Sequence, residues 1–371
     1  MRLTTNRIVQ SLVFVGLGLT MLYTYIIQPT PVQPKPKVWE IAFEQPFKVA
    51  RPFSEGFAVI ATGGDEFLYK YGYIDKTGKV VVEPQFSHCD DFSEGMAGVT
   101  INGKEGFINQ RGEIVIKPQF EYAGNFSEGL AFVRSSYDSG RYIDKTGKVA
   151  FRASLLFGSQ FSDGVAAINS GPPYTDDNYY VDQTGKRVIK TPFAGARAFS
   201  EGLAKVSLEP VPKSNRGYGF IDRSGKVVIA PLYGEVGEKF SDGLVKVLVH
   251  GKWGYIDKTG QMVIAPLFDD ADDFSEGVAL IKLAGFYGYI NKDGKYIVEP
   301  RFLIASRFSE GLAAVLDHGK FGYINKTGKF LIEPQFDSAD SFSEGLALVS
   351  FDKKVAYIRL VKTETALKRE P

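Results

Sequence analysis

Nine carboxylates recur in one setting along this 371-residue chain. Glu55, Glu94, Glu128, Asp163, Glu201, Asp242, Glu276, Glu310 and Glu344 each follow Phe-Ser and precede Gly. A row of acids brought to one edge of a fold could bind cations, and Ser beside an acid invites a catalytic reading. The simpler reading is a Ser-Glu-Gly turn into a strand. It covers all nine copies, the two Asp substitutions included, because positions repeated along an array encode the fold.

The other reactive side chains give no stronger pattern. Asp75 and Asp257 each sit alone beside a Lys, whereas calcium loops gather several carboxylates within a dozen residues. His88, His250 and His318 lie far apart in the sequence, with no metal-ligand spacing. No Gly-x-Ser-x-Gly, His-Glu-x-x-His or phosphate-loop pattern occurs. The one cysteine, Cys89, excludes an intramolecular disulfide framework and reads as a small core or turn residue. No catalytic, cofactor-binding or metal-ligating residue is assigned on these grounds, no cofactor is expected, and no binding residue can be named. A net charge of +1 gives no overall field for nucleic acid.

The elements that carry these residues follow from their spacing. The Phe-Ser-Glu/Asp-Gly copies begin at Phe53, Phe92, Phe126, Phe161, Phe199, Phe240, Phe274, Phe308 and Phe342, 34 to 41 residues apart and 34 in four of the eight gaps. A fixed period of this kind means one supersecondary unit repeated along the chain. A second motif runs in phase, as Tyr255-Ile256-Asp257 with Gly260 and Tyr323-Ile324-Asn325 with Gly328. Asp or Asn can accept hydrogen bonds from amides two or three residues on, and Gly takes the positive φ that closes the turn. This predicts a tight hairpin built on a type I turn and a Gly bulge. The stretch after Phe-Ser-Glu-Gly, such as Leu312–Leu316, adds a further strand. A Pro closes the last strand in most copies, among them Pro84, Pro118, Pro231, Pro266, Pro300 and Pro334. The ten-residue link to the next copy, with Phe268, Ala271 and Phe274 at three-residue spacing, reads as a packed or helical turn.

The combination Lys-Trp/Phe-Gly-Tyr-Ile-Asp-Lys-Thr-Gly-Lys, then Pro-x-Phe and Phe-Ser-Glu-Gly, resembles the bacterial WG-repeat family. The naming dipeptide stands at Trp253-Gly254, with Tyr71-Gly72, Tyr218-Gly219, Tyr287-Gly288 and Phe321-Gly322 in its place elsewhere. The resemblance implies a β-repeat array over roughly residues 40 to 360, and it carries no catalytic or binding residues with it. The expected fold class is all-β: about nine antiparallel three-stranded units of about 34 residues in an open solenoid or superhelix, plus one N-terminal helix. The alternative is a closed, propeller-like ring. Ile41–Gly56 matches only the back half of a unit and Leu346–Leu360 only the front half, so the two ends are either caps or the two parts of one closing unit.

Residues 1–27 read as a transmembrane signal anchor, since Ile8 to Ile27 carries no charge and twenty helical residues span about 30 Å. Residues 28–38 are a Pro-rich linker, 39–361 the repeat domain and 362–371 a polar tail. This predicts a single-pass membrane protein with a cytoplasmic N-terminus and an extracytoplasmic repeat domain, or a secreted protein after signal cleavage. The expected role is a membrane-anchored, non-enzymatic scaffold for a protein or cell-envelope partner. The alternatives are a glycan-binding array that uses a ladder of Tyr255, Tyr289 and Tyr323, and an enzyme whose residues cannot be named. Two insertions, Gly171 to Asn178 and Pro210 to Arg216, interrupt the repeat between its first two strands and are candidate recognition loops.

The turn assignment is open to test. Gly260→Val forces a β-branched residue to positive φ and is expected to cost about 1–3 kcal/mol. An unchanged melting temperature would remove the turn assignment.

Overall fold

The computed structural model describes residues 9–13, 22–26, 38–64, 68–135, 140–153, 157–169, 178–190, 193, 195–207 and 217–361. They belong to two compact units, Met1–Lys37 and Val38–Pro371. In the first unit, Val9–Val13 pairs antiparallel with Leu22–Ile26, from Val9↔Ile26 to Val13↔Leu22. This corrects the expected N-terminal helix and the single-pass membrane placement that rested on it. Among the described residues no helix is long and apolar enough to cross a membrane. An uncharged run does not by itself choose between helix and strand, and Val9, Val13, Tyr23, Thr24, Tyr25 and Ile26 are residue types that favour strands. Residues 28–37 of the expected linker and the tail at 362–371 lie outside the described residues, as do residues 1–8, 14–21 and 27 of the expected anchor.

Among the described residues, the second unit is built from nine small sheets. One of them runs Glu235–Val236, Leu244–Val249, Lys252–Asp257 and Met262–Phe268, each strand pairing with the next. Eight of the nine have four strands. The other has Leu312–Asp317, Lys320–Asn325 and Phe330–Phe336, with the Ala305↔Val315 bridge where its neighbours have a first strand. The repeat unit is therefore four-stranded, where three strands are expected from the sequence. The extra strand comes from the link read as a helical turn. It is only two residues long in most sheets, too short to leave an alternating pattern.

The expectation of an open array is also overturned. Trp39–Glu44 pairs antiparallel with Lys354–Leu360 and supplies the fourth strand of the last sheet, which contains Ser338–Ala339 and Leu346–Phe351. The half-units at the two ends are parts of one blade, and the array closes into a ring. Closure removes the unpaired ends that an open array must cap. Blades are numbered from the one holding Phe57–Thr62 and Lys70–Asp75 to this ninth, composite one.

Local chemistry fixes each blade. Asp257 Oδ1 accepts from the Thr259 amide at 2.9 Å, the Thr259 hydroxyl at 2.6 Å and the Gln261 amide at 3.0 Å. The Gly260 amide donates to the Asp257 carbonyl at 3.0 Å, with Gly260 at φ +86°, so the hairpin is the type I turn with a Gly bulge. Gly254 has a different task. The fourth strand bulges over it, and Trp253↔Phe268 is followed by Tyr255↔Ile264. A Cβ on Gly254 would stand 2.5 Å from the Ile264 carbonyl oxygen and 2.8 Å from Pro266 N. Gly72, Gly106, Gly219, Gly288 and Gly322 meet the same backbone in their own blades.

The core lies between blades. Nine apolar clusters each draw on two neighbours, and Phe53, Ile60, Tyr357 and Leu346 form the one that joins the ninth blade to the first. In every junction the aromatic residue before Ile/Val packs on the next blade's Phe-Ser phenylalanine. Tyr255–Phe274 and Tyr357–Phe53 are examples, and the nine centroid distances run from 4.8 to 5.1 Å.

Gly254→Ala adds one methyl group against backbone that cannot move without undoing the bulge. The expected loss is about 1–3 kcal/mol, the usual range for overpacking. A urea midpoint equal to the parent's would refute this account of the motif.

Candidate functional site

The nine repeated carboxylates do come to one place, and they are already engaged. Each acidic residue and the following Gly form a two-residue hairpin turn. The acidic residues lie at φ +50° to +54° and the glycines at +76° to +85°. Ser and the residue after Gly bond reciprocally across it, as Ser241 N to Leu244 O at 2.9 Å and Leu244 N to Ser241 O at 3.1 Å. Positive φ at both central positions is the type I′ turn, which favours Asn, Asp and Gly.

Glu is tolerated there because its carboxylate reaches the next blade. Glu55 accepts from the amides of Glu94 and Gly95 at 2.6 and 2.7 Å. Glu94 accepts from Gly129, Glu128 from Gly164, Asp163 from Gly202, Glu201 from Gly243 and Asp242 from Gly277. Glu276 accepts from Glu310 and Gly311, Glu310 from Gly345, and Glu344 from Gly56 at 2.9 Å. The set closes on itself across the ends of the domain.

Two parallel sets reinforce it. Eight of the nine serines donate Oγ–H to the carbonyl of the next blade's phenylalanine, from Ser54 to Phe92 O at 3.0 Å round to Ser343 to Phe53 O at 2.7 Å. Seven tyrosines donate their hydroxyls to next-blade carbonyls at 2.6 to 2.7 Å, Tyr289 to Ser306 O among them. Lysines from the next blade's hairpin turn flank four acids: Lys145 on Glu94, Lys258 on Glu201, Lys326 on Glu276 and Lys76 on Glu344. Burial works against the charge on Glu276. Lys326 and the amides of Gly311 and Glu310 outweigh it and hold the carboxyl below its ordinary value of 4.5.

The remaining candidates do not assemble. His88, His250 and His318 are exposed on blades 2, 6 and 8; His88 lies beside Asp90 and His318 beside Asp317. Among the described residues, no group of three His, Cys, Asp or Glu side chains could hold a metal ion. Cys89 is fully buried, and burial pushes its thiol up to about 12. The Tyr255, Tyr289 and Tyr323 series is core, each residue fully buried, so it offers no ladder to a glycan. The two insertions lie outside the described residues, apart from Asn178, which is buried and donates to Phe193 O at 3.0 Å.

One blade breaks the repeat at its rim, and a signal of exception rather than repetition marks it. Lys104 pairs with Glu121, Lys252 with Asp269 and Lys320 with Asp337, always 17 residues apart. In blade 7 the same two positions hold Phe286 and Leu303, 42% and 64% exposed, and Ile304 beside them is 50% exposed. A polar rim position has become apolar there without gaining cover.

A closed circle of nine antiparallel blades is a β-propeller, larger than the usual four to eight blades. The chain belongs to the WG containing repeat family, which it matches over residues 71–104, 106–135, 218–253, 253–285, 287–321 and 321–354, more than half its length. No curated protein matches it. It is similar to a solved structure described as the eukaryotic initiation factor, at 10% identity and TM-score 0.51, over 76% of this chain and 87% of that one. BamB from Moraxella catarrhalis matches at 11% identity and TM-score 0.42, over 88% and 99%. The C-terminal WD40 domain of Sif2 matches at 10% and 0.38, over the same shares. At these identities the likeness is one of fold.

The acid circle predicts a pH dependence. Glu94, Glu276 and Glu344 have folded-state pKa values below the ordinary 4.5. Their stabilisation is complete above that value and is lost as the pH falls through it and below, because the unfolded chain then binds protons more readily. Glu276→Gln keeps an acceptor but loses the charge. It is expected to cost about 1 kcal/mol after solvent screening, and to make the fall in melting temperature below pH 4.5 shallower than the parent's. Parallel acid-melting curves would remove the carboxylate-to-amide circle from the account of stability.

Proposed function

We propose that this protein is a non-enzymatic propeller scaffold that binds another protein, and that the rim around Phe286, Leu303 and Ile304 belongs to the contact surface. The observation behind this reading is the replacement of a repeated ion pair by two exposed apolar side chains in a single blade. The ring does not need the change, since blades 2, 6 and 8 keep the charged pair. Apolar residues that a fold leaves uncovered mark contact sites when they cluster, and aromatic side chains are enriched at the centres of protein interfaces. The reading of the Tyr series as a glycan track loses its basis with the burial of those rings.

The test uses the blade 6 solution. Phe286→Lys with Leu303→Asp writes the Lys252 and Asp269 pair into blade 7, so folding and melting temperature should be kept. Cross-linking and affinity capture with the full-length chain should then lose the protein partners that the parent retains, by tenfold or more, equivalent to about 1.4 kcal/mol. Capture of the same partners at the same yield would place the contact elsewhere.

A further inference from the structure

Blades 5 and 6 carry a second departure from the repeat, on their outermost strands. The residues either side of the strand-closing Pro are charged or amide-bearing in blades 1, 2, 7 and 8: Glu83 and Gln85, Lys117 and Gln119, Glu299 and Arg301, Glu333 and Gln335. In blades 5 and 6 they are Ala230 with Leu232 and Ala265 with Leu267. Leu232 is 83% exposed and Leu267 60% exposed. Val227, Val228, Met262 and Val263 on the same two strands are exposed as well. Between the blades runs a groove of about 560 Å³, bounded at one end by Thr259 and Gly260 and at the other by Leu248, Val249 and His250. No Asp, Glu, Lys or Arg lines it.

We infer that this strip is the contact between two copies of the chain, related by a two-fold axis that sets the blade 5 outer strands antiparallel. Charge selects this occupant. The uncharged run Val227–Gly234 lies between Lys226, just before the strand, and Glu235, which opens blade 6 past the bend at Gly234, and neither side chain is in an ion pair among the described residues. A two-fold axis through the middle of the run brings Lys226 of each copy to Glu235 of the other, twice. A parallel arrangement would oppose like charges. Shape selects it too. An isologous interface must be complementary to itself, and this strip holds both a protruding Leu232 and an uncharged groove open beside it. A partner Leu232 arriving antiparallel enters at the Val228 end. Pro231 and Pro266 interrupt both strands where a ladder would form, so the copies meet through side chains and not through strand addition.

The experiment is sedimentation velocity with the full-length chain over a concentration series. The parent should sediment as a dimer. Leu232→Glu with Leu267→Glu should raise the dimer dissociation constant at least about tenfold with the melting temperature kept, because both residues are exposed. Lys226→Glu should weaken the dimer, and Lys226→Glu with Glu235→Lys should restore it, a rescue that only the antiparallel contact gives. If the leucine variant fails to fold, the charge swap still decides. A parent that is monomeric throughout, a dimer indifferent to the leucines, or a charge swap without rescue each overturns the inference. So does a strip covered instead by a different protein. The Phe286→Lys, Leu303→Asp protein should dimerise as the parent does, which separates this contact from the partner rim.

Discussion

The glycine amide at the tip of each Phe-Ser-Glu/Asp-Gly turn points at the blade before it and is satisfied by that blade's carboxylate. Much else in the ring follows from this handover. It explains an acidic residue in left-handed geometry, where Asn or Gly would suit the turn better. It places the Ser hydroxyl over the neighbouring Phe carbonyl and the neighbouring Phe against the Tyr ring. Because each link runs from one blade to the next, a chain of such links has no natural end except its own beginning. Glu344 on Gly56 and Ser343 on Phe53 complete it. These carboxylates are accounted for by their bonds to the next blade, without a metal ion. The nine-fold pattern that suggested chemistry in the sequence is the pattern of an internal fastening.

Much of this is legible in the sequence. The hairpin at Asp257–Gly260 could be read from residue types, because the Asx bonds and the positive-φ glycine are local. The tyrosines could be read either as core, since aromatic side chains dominate core burial, or as an exposed ladder, and their full burial decides for the core. What the sequence did not show was non-local or very short. Two-residue strands such as Asp270–Ala271 leave no alternation to detect. The pairing of Trp39–Glu44 with Lys354–Leu360 joins segments from opposite ends of the domain, and the half-repeats suggested it without deciding between caps and closure. The acid-to-amide link had a signal that went unused: glutamate stands seven times where a type I′ turn gives it no local reason to be. At Ile8 to Ile27 composition alone pointed to a helix, and the strand-favouring residue types within the run pointed the other way.

A ring of near-identical units is its own control. A position that is charged or amide-bearing in three or four blades and apolar in one or two is not apolar for the sake of the fold. Phe286 with Leu303, and Leu232 with Leu267, stand out by this comparison although each would be unremarked in a protein without repeats, since single exposed apolar residues are common. The same comparison clears the other residues. Turn aspartates, ring acids, serines and tyrosines have equivalents with the same partners around the circle, so none of them marks one blade as special.

The composite ninth blade also sets the order in which the domain can be finished on the ribosome. Glu44 and its partner Lys354 are 310 residues apart. At roughly 5–20 residues per second, the first strand to emerge waits about 15–60 s for the last one. During that time the blades can stack one after another as an open arc, each new one docking on its predecessor, while Trp39–Glu44 stays exposed as an unpaired edge. The ring can therefore close only once Lys354–Leu360 has left the ribosome to meet Trp39–Glu44.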